Sequence, residues 1–159
     1  MKIRENRDEP HELRLDLPAA HSAERLARAV MRQFVQHEGM PADEVDALEF
    51  VASELLSNAV DHGGGHSAME EDDAPPEVRV QFQLKLRPDG WEMRVSDQGG
   101  GDPARVQALI EDPDLPGPDD ERGRGFFLLK SMLAELVVER SADEKGLVFI
   151  AVKRHERRG

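Results

Sequence analysis

The sequence predicts a fold of α/β (α+β) class on three patterns: two amphipathic helical stretches between residues 19 and 63, two strictly alternating strands between 78 and 97, and an apolar helix followed by two strands that end at 154. At 159 residues the chain is long enough for one domain with a real core and short for two. The expected layout is a single domain over 12–154 with flexible ends at 1–11 and 155–159. No apolar run approaches the roughly 20 residues needed to span a bilayer, and Met1 to Pro10 is charged with no apolar signal segment behind it. A soluble, cytoplasmic protein without a membrane segment is expected. The absence of cysteine excludes disulfides, thiol catalysis and thiolate-held metals, so any ion must use oxygen or imidazole ligands. A formal net charge of -12 argues against a protein that grips nucleic acid by its phosphates and favours a basic protein partner.

Taken in order, Leu13-Arg14-Leu15-Asp16-Leu17 alternates apolar and polar residues and Pro18 stops it, which predicts an opening strand at about 12–17. The tetrad His11-Glu12-Leu13-Arg14 looks like the start of the phospho-accepting box of histidine kinases, but the alternation is a strand's, and Leu15-Asp16 stands where Thr-Pro would follow. From Ala19 to about Glu38, Leu26, Val30 and Phe34 recur every four residues beside Ala23, Ala27 and Met31, a first helix that Gly39 ends. Pro41 opens a second helix, with Asp43 and Glu44 in the first turn where the helix dipole favours acid. Gly63-Gly64-Gly65 stops it. Residues 63–77 read as a flexible connection, and His62, His66 and Glu70 there as polar loop residues in preference to a metal site.

Val78 to Arg87 has every even residue apolar and every odd one polar, the mark of a strand with one buried and one wet face. Pro88-Asp89-Gly90 turns the chain, and Trp91 to Asp97 alternates with odd residues apolar. Pairing Leu86 with Trp91 sets Lys85 opposite Glu92 on the wet side and puts Asp97 on the core side. A carboxylate there is costly to bury unless a donor meets it. Gly99-Gly100-Gly101 follows and lets the main chain approach a bound group closely. Asp102-Pro103 starts a short helix through Ile110, and residues 111–124, rich in proline and charge, read as a mobile lid. Gly123-Arg124-Gly125 opens an apolar helix from Phe126 to about Leu136, whose N-terminus suits an anion. Strands at 136–140 and 147–154 close the chain, the second apolar on both faces as an interior strand is.

The chemistry lies on the second helix. At 3.6 residues per turn Glu54, Asn58 and His62 share one face, while Leu48, Ala52, Leu55 and Ala59 form an apolar stripe on another. The Asn58 amide oxygen suits a hard divalent cation, and the Glu54 carboxylate suits a proton leaving a hydroxyl nucleophile.

A helix with Glu54 and Asn58, a strand ending in Asp97-x-Gly99-x-Gly101, a lid, and then Gly123-Arg124-Gly125 with a helix resemble, in that order, the N-box and two glycine boxes of the GHKL ATPase superfamily, which includes gyrase, histidine kinases and anti-sigma-factor kinases. The resemblance runs from about Leu13 to Val152. It implies a Bergerat ATP-binding fold, a two-layer sandwich of helices on one face of a mixed, largely antiparallel sheet. It further implies ATP and Mg2+ as cofactors, with Glu54 as general base, Asn58 as magnesium ligand, and Asp97 accepting the adenine amine. Gly99 and Gly101 would lie against adenine and ribose, and Gly123, Arg124 and Gly125 would close on the phosphates. One departure stands out. The family often has Thr after the glycine of the last strand, whereas Leu147 and Val148 follow Gly146 here, which removes a usual partner of Asp97.

A lone short domain is most similar to the anti-sigma-factor serine/threonine kinases. That resemblance implies a kinase that binds a sigma factor, phosphorylates a STAS-domain antagonist and forms a homodimer, with no direct nucleic-acid contact. The alternative is a non-catalytic module of the same fold that sequesters a partner. A histidine kinase catalytic domain ranks lower, since no acceptor helix is present. A dinucleotide-binding enzyme built on Gly99-x-Gly101-x-x-Ala104 ranks lower still, because an antiparallel hairpin precedes it and Pro103 interrupts it.

Overall fold

The period-2 alternation of the strands is realised as a five-stranded sheet in a computed structural model that describes residues 11–63, 78–99, 101–111, 121–142 and 146–155. The expectations for residues 1–10, for the connection at 64–77 with His66 and Glu70, for Gly100, for most of the lid (112–120) and for 143–145 and 156–159 lie outside the described residues. So do the side chains of His62 and Arg124.

The elements are β1 (His11–Pro18), α1 (His21–His37), α2 (Ala42–Gly63), β2 (Arg79–Arg87), β3 (Gly90–Ser96), α3 (Pro103–Glu111), α4 (Glu121–Met132), β4 (Glu135–Arg140) and β5 (Leu147–Arg154). The sheet order is β1-β2-β3-β5-β4. Leu86 pairs with Trp91 and Lys85 with Glu92, as the alternation requires. Every ladder among the described strands is antiparallel, in keeping with the largely antiparallel sheet expected and without a parallel pair among them. The reason is the crossover: α3 and α4 deliver β4 in the same direction as β3, and the β4–β5 connection then inserts β5 between them, so the two parallel strands never touch.

One face of the sheet supplies Val80, Phe82, Leu84, Trp91, Met93, Val95, Leu136, Val138, Leu147, Phe149 and Ala151 to a single core shared with the helices. On its other face Arg14, Gln81, Gln83, Arg94 and Ser96 stay at least partly exposed. This is the expected two-layer arrangement. The Phe126 and Phe149 rings stack with centroids 5.9 Å apart and tie α4 to β5. No described helix is long and apolar enough to cross a membrane.

Two helical expectations need correction. The buried face of α1 is Ala23, Ala27, Met31 and Val35, not the Leu26–Val30–Phe34 row, and Leu26 is 60% exposed. Small residues at 23 and 27 let α1 approach its neighbours closely, and that closeness turns the bulkier row outward. Between α1 and α2, the buried Glu24 carboxylate accepts the Ser57 hydroxyl at 2.9 Å, with His21 Nδ1 3.3 Å away. The second correction concerns α4. It begins at Glu121, so Gly123-Arg124-Gly125 lies within the helix and not before it. It ends at Met132 instead of reaching Leu136, because Ala134 N–H already donates to Val152 O at 2.8 Å and the chain joins the sheet.

The assignment of helix faces has a direct consequence for stability. Leu55→Ala should destabilise the protein by about 2–5 kcal/mol through the cavity it leaves. Leu26→Ala should stay within about 0.5 kcal/mol. Urea unfolding of the two variants beside the parent checks the assignment.

Candidate nucleotide site

Helix α2 loads core and chemistry onto adjacent faces. Leu48, Ala52, Leu55 and Ala59 are fully buried, which fixes the rotation of the helix. That rotation sets Asn58 inward at 9% exposure and leaves Glu54 half-buried. Among the described residues, neither the amide nitrogen nor the amide oxygen of Asn58 has a hydrogen-bond partner. Buried polar groups are normally paired, and an orphaned one costs on the order of 1–3 kcal/mol. A carboxamide so placed is a group that a bound ligand can satisfy.

Glu54 meets α4. A Cβ on Gly125 would stand 2.6 Å from Glu54 Oε2, so the absence of a side chain at 125 is what admits the carboxylate. The structure thus brings Glu54 of α2 against Gly125 of α4, with Asn58 one helical turn from Glu54. Gly123 and Arg124 belong to the first turns of the same helix.

Asp97 anchors a second cluster. It follows β3, is 4% exposed, and sits on the core side of the sheet as its place in the alternation predicts. Its Oδ1 accepts two main-chain donors, Gly99 N–H at 3.0 Å and Leu147 N–H at 3.1 Å. Its own N–H donates to Leu147 O at 2.9 Å. The missing threonine therefore does not leave Asp97 unsupported, since the main chain at Leu147 meets the carboxylate that the hydroxyl would otherwise address. Gly101 faces Leu147 as well: a Cβ there would lie 3.1 Å from Leu147 Cδ1.

The closeness of this junction explains Gly146. A Cβ at 146 would fall 1.9 Å from the Asp97 carbonyl oxygen, which no side chain tolerates. Ser141, at the end of β4, accepts Gly146 N–H on Oγ at 3.0 Å and donates its own N–H to Gly146 O at 2.8 Å. Sequence reading passed over Ser141. The available signal was a serine five residues before a glycine across a predicted turn, where a short hydroxyl commonly meets a main-chain amide.

Among the described residues no group of three or more His, Asp or Glu side chains could hold a metal ion. The residues present nevertheless suit magnesium, which favours oxygen ligands and is usually held by one or two protein groups together with substrate phosphates. The orphaned Asn58 oxygen is such a group. A groove of about 690 Å³ on the other face of the sheet shares Asp97 with the site but none of Glu54, Asn58 or Gly125.

The helix-backed sheet and the order of its motifs along the chain define an ATPase domain of the GHKL class. A model of the histidine kinase-like ATPase domain matches residues 17–153, and the chain belongs to that family. Among curated relatives, the anti-sigma F factor of Geobacillus stearothermophilus is 24% identical over 144 residues, covering 88% of this chain and 90% of that protein. The anti-sigma F factor of Bacillus subtilis is 23% identical over 137 residues, covering 84% and 86%. Among solved structures, the SiaB–SiaC complex from Pseudomonas aeruginosa shares the fold with a TM-score of 0.64 at 14% identity, over 92% of this chain and 90% of that one.

If Asn58 is kept for a ligand at the expense of the ligand-free fold, Asn58→Leu should raise the unfolding free energy of the nucleotide-free protein by about 1–3 kcal/mol. A drop in the urea midpoint would instead make Asn58 a structural residue.

Proposed function

We propose that the chain is an ATP- and magnesium-dependent serine/threonine protein kinase of the anti-sigma-factor type, which binds a sigma factor and phosphorylates a STAS-domain antagonist, acting as a homodimer. The observation that carries the catalytic part is the orphaned Asn58 carboxamide, one helical turn from Glu54, whose own carboxylate meets Gly125 of α4. The partner class comes from the relatives, which bear the name anti-sigma F factor.

Phosphoryl transfer is largely positioning and charge neutralisation, and bound magnesium supplies the neutralisation. The chain supplies the rest. Asn58 Oδ1 would hold the ion as one protein oxygen beside substrate phosphates. Glu54 accepts the proton of the incoming serine or threonine hydroxyl, and its half-buried place next to the glycine of α4 keeps it at the mouth of the helix layer. Asp97 accepts the exocyclic amine of adenine, with its orientation set by the two amides on Oδ1. Gly99 and Gly101 would border adenine and ribose, and Gly123, Arg124 and Gly125, inside the first turns of α4, would close on the phosphates.

Calorimetric titration of ATP with and without magnesium tests the binding half. Asp97→Asn should weaken ATP by about 1–3 kcal/mol, and Asn58→Ala should abolish the magnesium dependence. Failure of the parent to bind ATP overturns the reading in favour of a partner-sequestering module. The catalytic half is tested by phosphate transfer to a panel of STAS-domain proteins. Glu54→Ala should lower the rate by about 10²–10⁴-fold. Equal incorporation by parent and variant would remove Glu54 as the base.

A further inference from the structure

Asp97 is held through a chain of short contacts that begins on a different strand. Ser141 is 9% exposed and clasps Gly146 from both sides, its Oγ accepting Gly146 N–H at 3.0 Å and its N–H reaching Gly146 O at 2.8 Å. Gly146 lies against the Asp97 main chain at a distance only glycine permits. The next residue, Leu147, exchanges main-chain bonds with Asp97 and donates its N–H to Oδ1 at 3.1 Å. Leu147 N–H is thus one of the two amides that direct the carboxylate, with Gly99 N–H, and its place depends on the Ser141–Gly146 clasp.

The side chain of Leu147 adds to this dependence. It is 2% exposed and packs against Gly101, so a hydrocarbon with no hydrogen-bonding group stands beside Asp97. Selection at the purine edge then falls on one group, the Asp97 carboxylate. A fixed carboxylate accepts from a 6-amino purine and repels the lone pairs of a 6-oxo purine, and it discriminates only as sharply as it is held.

We infer that Ser141 is a positioning residue for base selection, which through Gly146 and Leu147 orients the Asp97 carboxylate and thereby sets the preference for adenine over guanine nucleotides. The inference rests on the nucleotide reading above and deepens it. Ser141 touches no base itself. Its removal loosens the carboxylate, which lowers affinity for ATP and relieves part of the repulsion that excludes GTP.

Calorimetry of ATP and GTP binding to the parent, Ser141→Ala and Ser141→Thr, with thermal melts alongside, tests it. Ser141→Ala should bind ATP about tenfold more weakly, the size of one hydrogen bond, with GTP no weaker than in the parent and the ATP-to-GTP ratio narrowed accordingly. Ser141→Thr, which keeps the hydroxyl, should restore the ratio. A hydroxyl that merely strengthens the turn predicts a lower melting temperature with both nucleotides weakened together or not at all, and that result overturns the inference. Should Ser141→Ala fail to fold, amide hydrogen exchange in the parent decides: saturating ATP should slow exchange at Gly146 and Leu147 while GTP does not, and equal exchange with both overturns it. A parent that binds ATP but shows no change of ratio in the variant sinks this inference alone. A parent that binds no ATP removes the nucleotide reading and this inference with it.

Discussion

The rotation of α2 about its own axis is the constraint on which the rest of the structure depends. Four apolar side chains at helical spacing are removed from water completely, and each contributes on the order of 1–3 kcal/mol for being so. No rotation of a few tens of degrees can keep all four buried. The same constraint aims Glu54 and Asn58, because they share turns with those anchors. Site geometry is therefore inherited from core packing and needs no separate device to hold it. Asn58 bears the cost of this arrangement, since the helix cannot turn its carboxamide to water without exposing Leu55 or Ala59.

The Asp97 end of the site is organised differently. There the anchor is not a helix face but a crossing of main chains, with β3 leaving and β5 entering at van der Waals distance. A crossing of that kind transmits small displacements efficiently, because no side chain stands between the two backbones to absorb them. The two halves of the site thus answer to different parts of the molecule: one to the hydrophobic core, the other to a turn between edge and interior strands. Membership of the histidine kinase-like ATPase family accounts for the presence of both halves, and the local residues decide how each is held.

Much of this was legible in the sequence where local periodicity governs. The β2–β3 register and the inward position of Asp97 follow from strict alternation and a Pro-Asp-Gly turn, which together leave one pairing open. The α2 stripe was legible for the same reason. The face of α1 was not, because Leu26 and Val30 outrank Ala23 and Ala27 on hydrophobicity alone, and only close helix packing rewards the smaller residues. The start of α4 was hidden by two glycines, which read locally as loop, although at Gly125 the helix needs the missing side chain to admit Glu54. The Ser141–Gly146–Asp97 junction joins residues about fifty positions apart, and no local pattern encodes a contact of that separation. The absence of a threonine was visible. Its replacement by a main-chain amide was not.

The place of β5 between β3 and β4 also bears on how the chain reaches its folded state. Ser96 pairs with Val148 across a long stretch that contains two helices and a strand, so the central seam of the sheet is a high-contact-order event and a slow one. Until it forms, β3 offers an unpaired edge with Met93 and Val95 beside it, a surface that invites association with other chains. The half-assembled sheet, not the finished one, is then the species most exposed to aggregation. Conditions that hasten the arrival of β5 should matter more for yield than those that stabilise the native state.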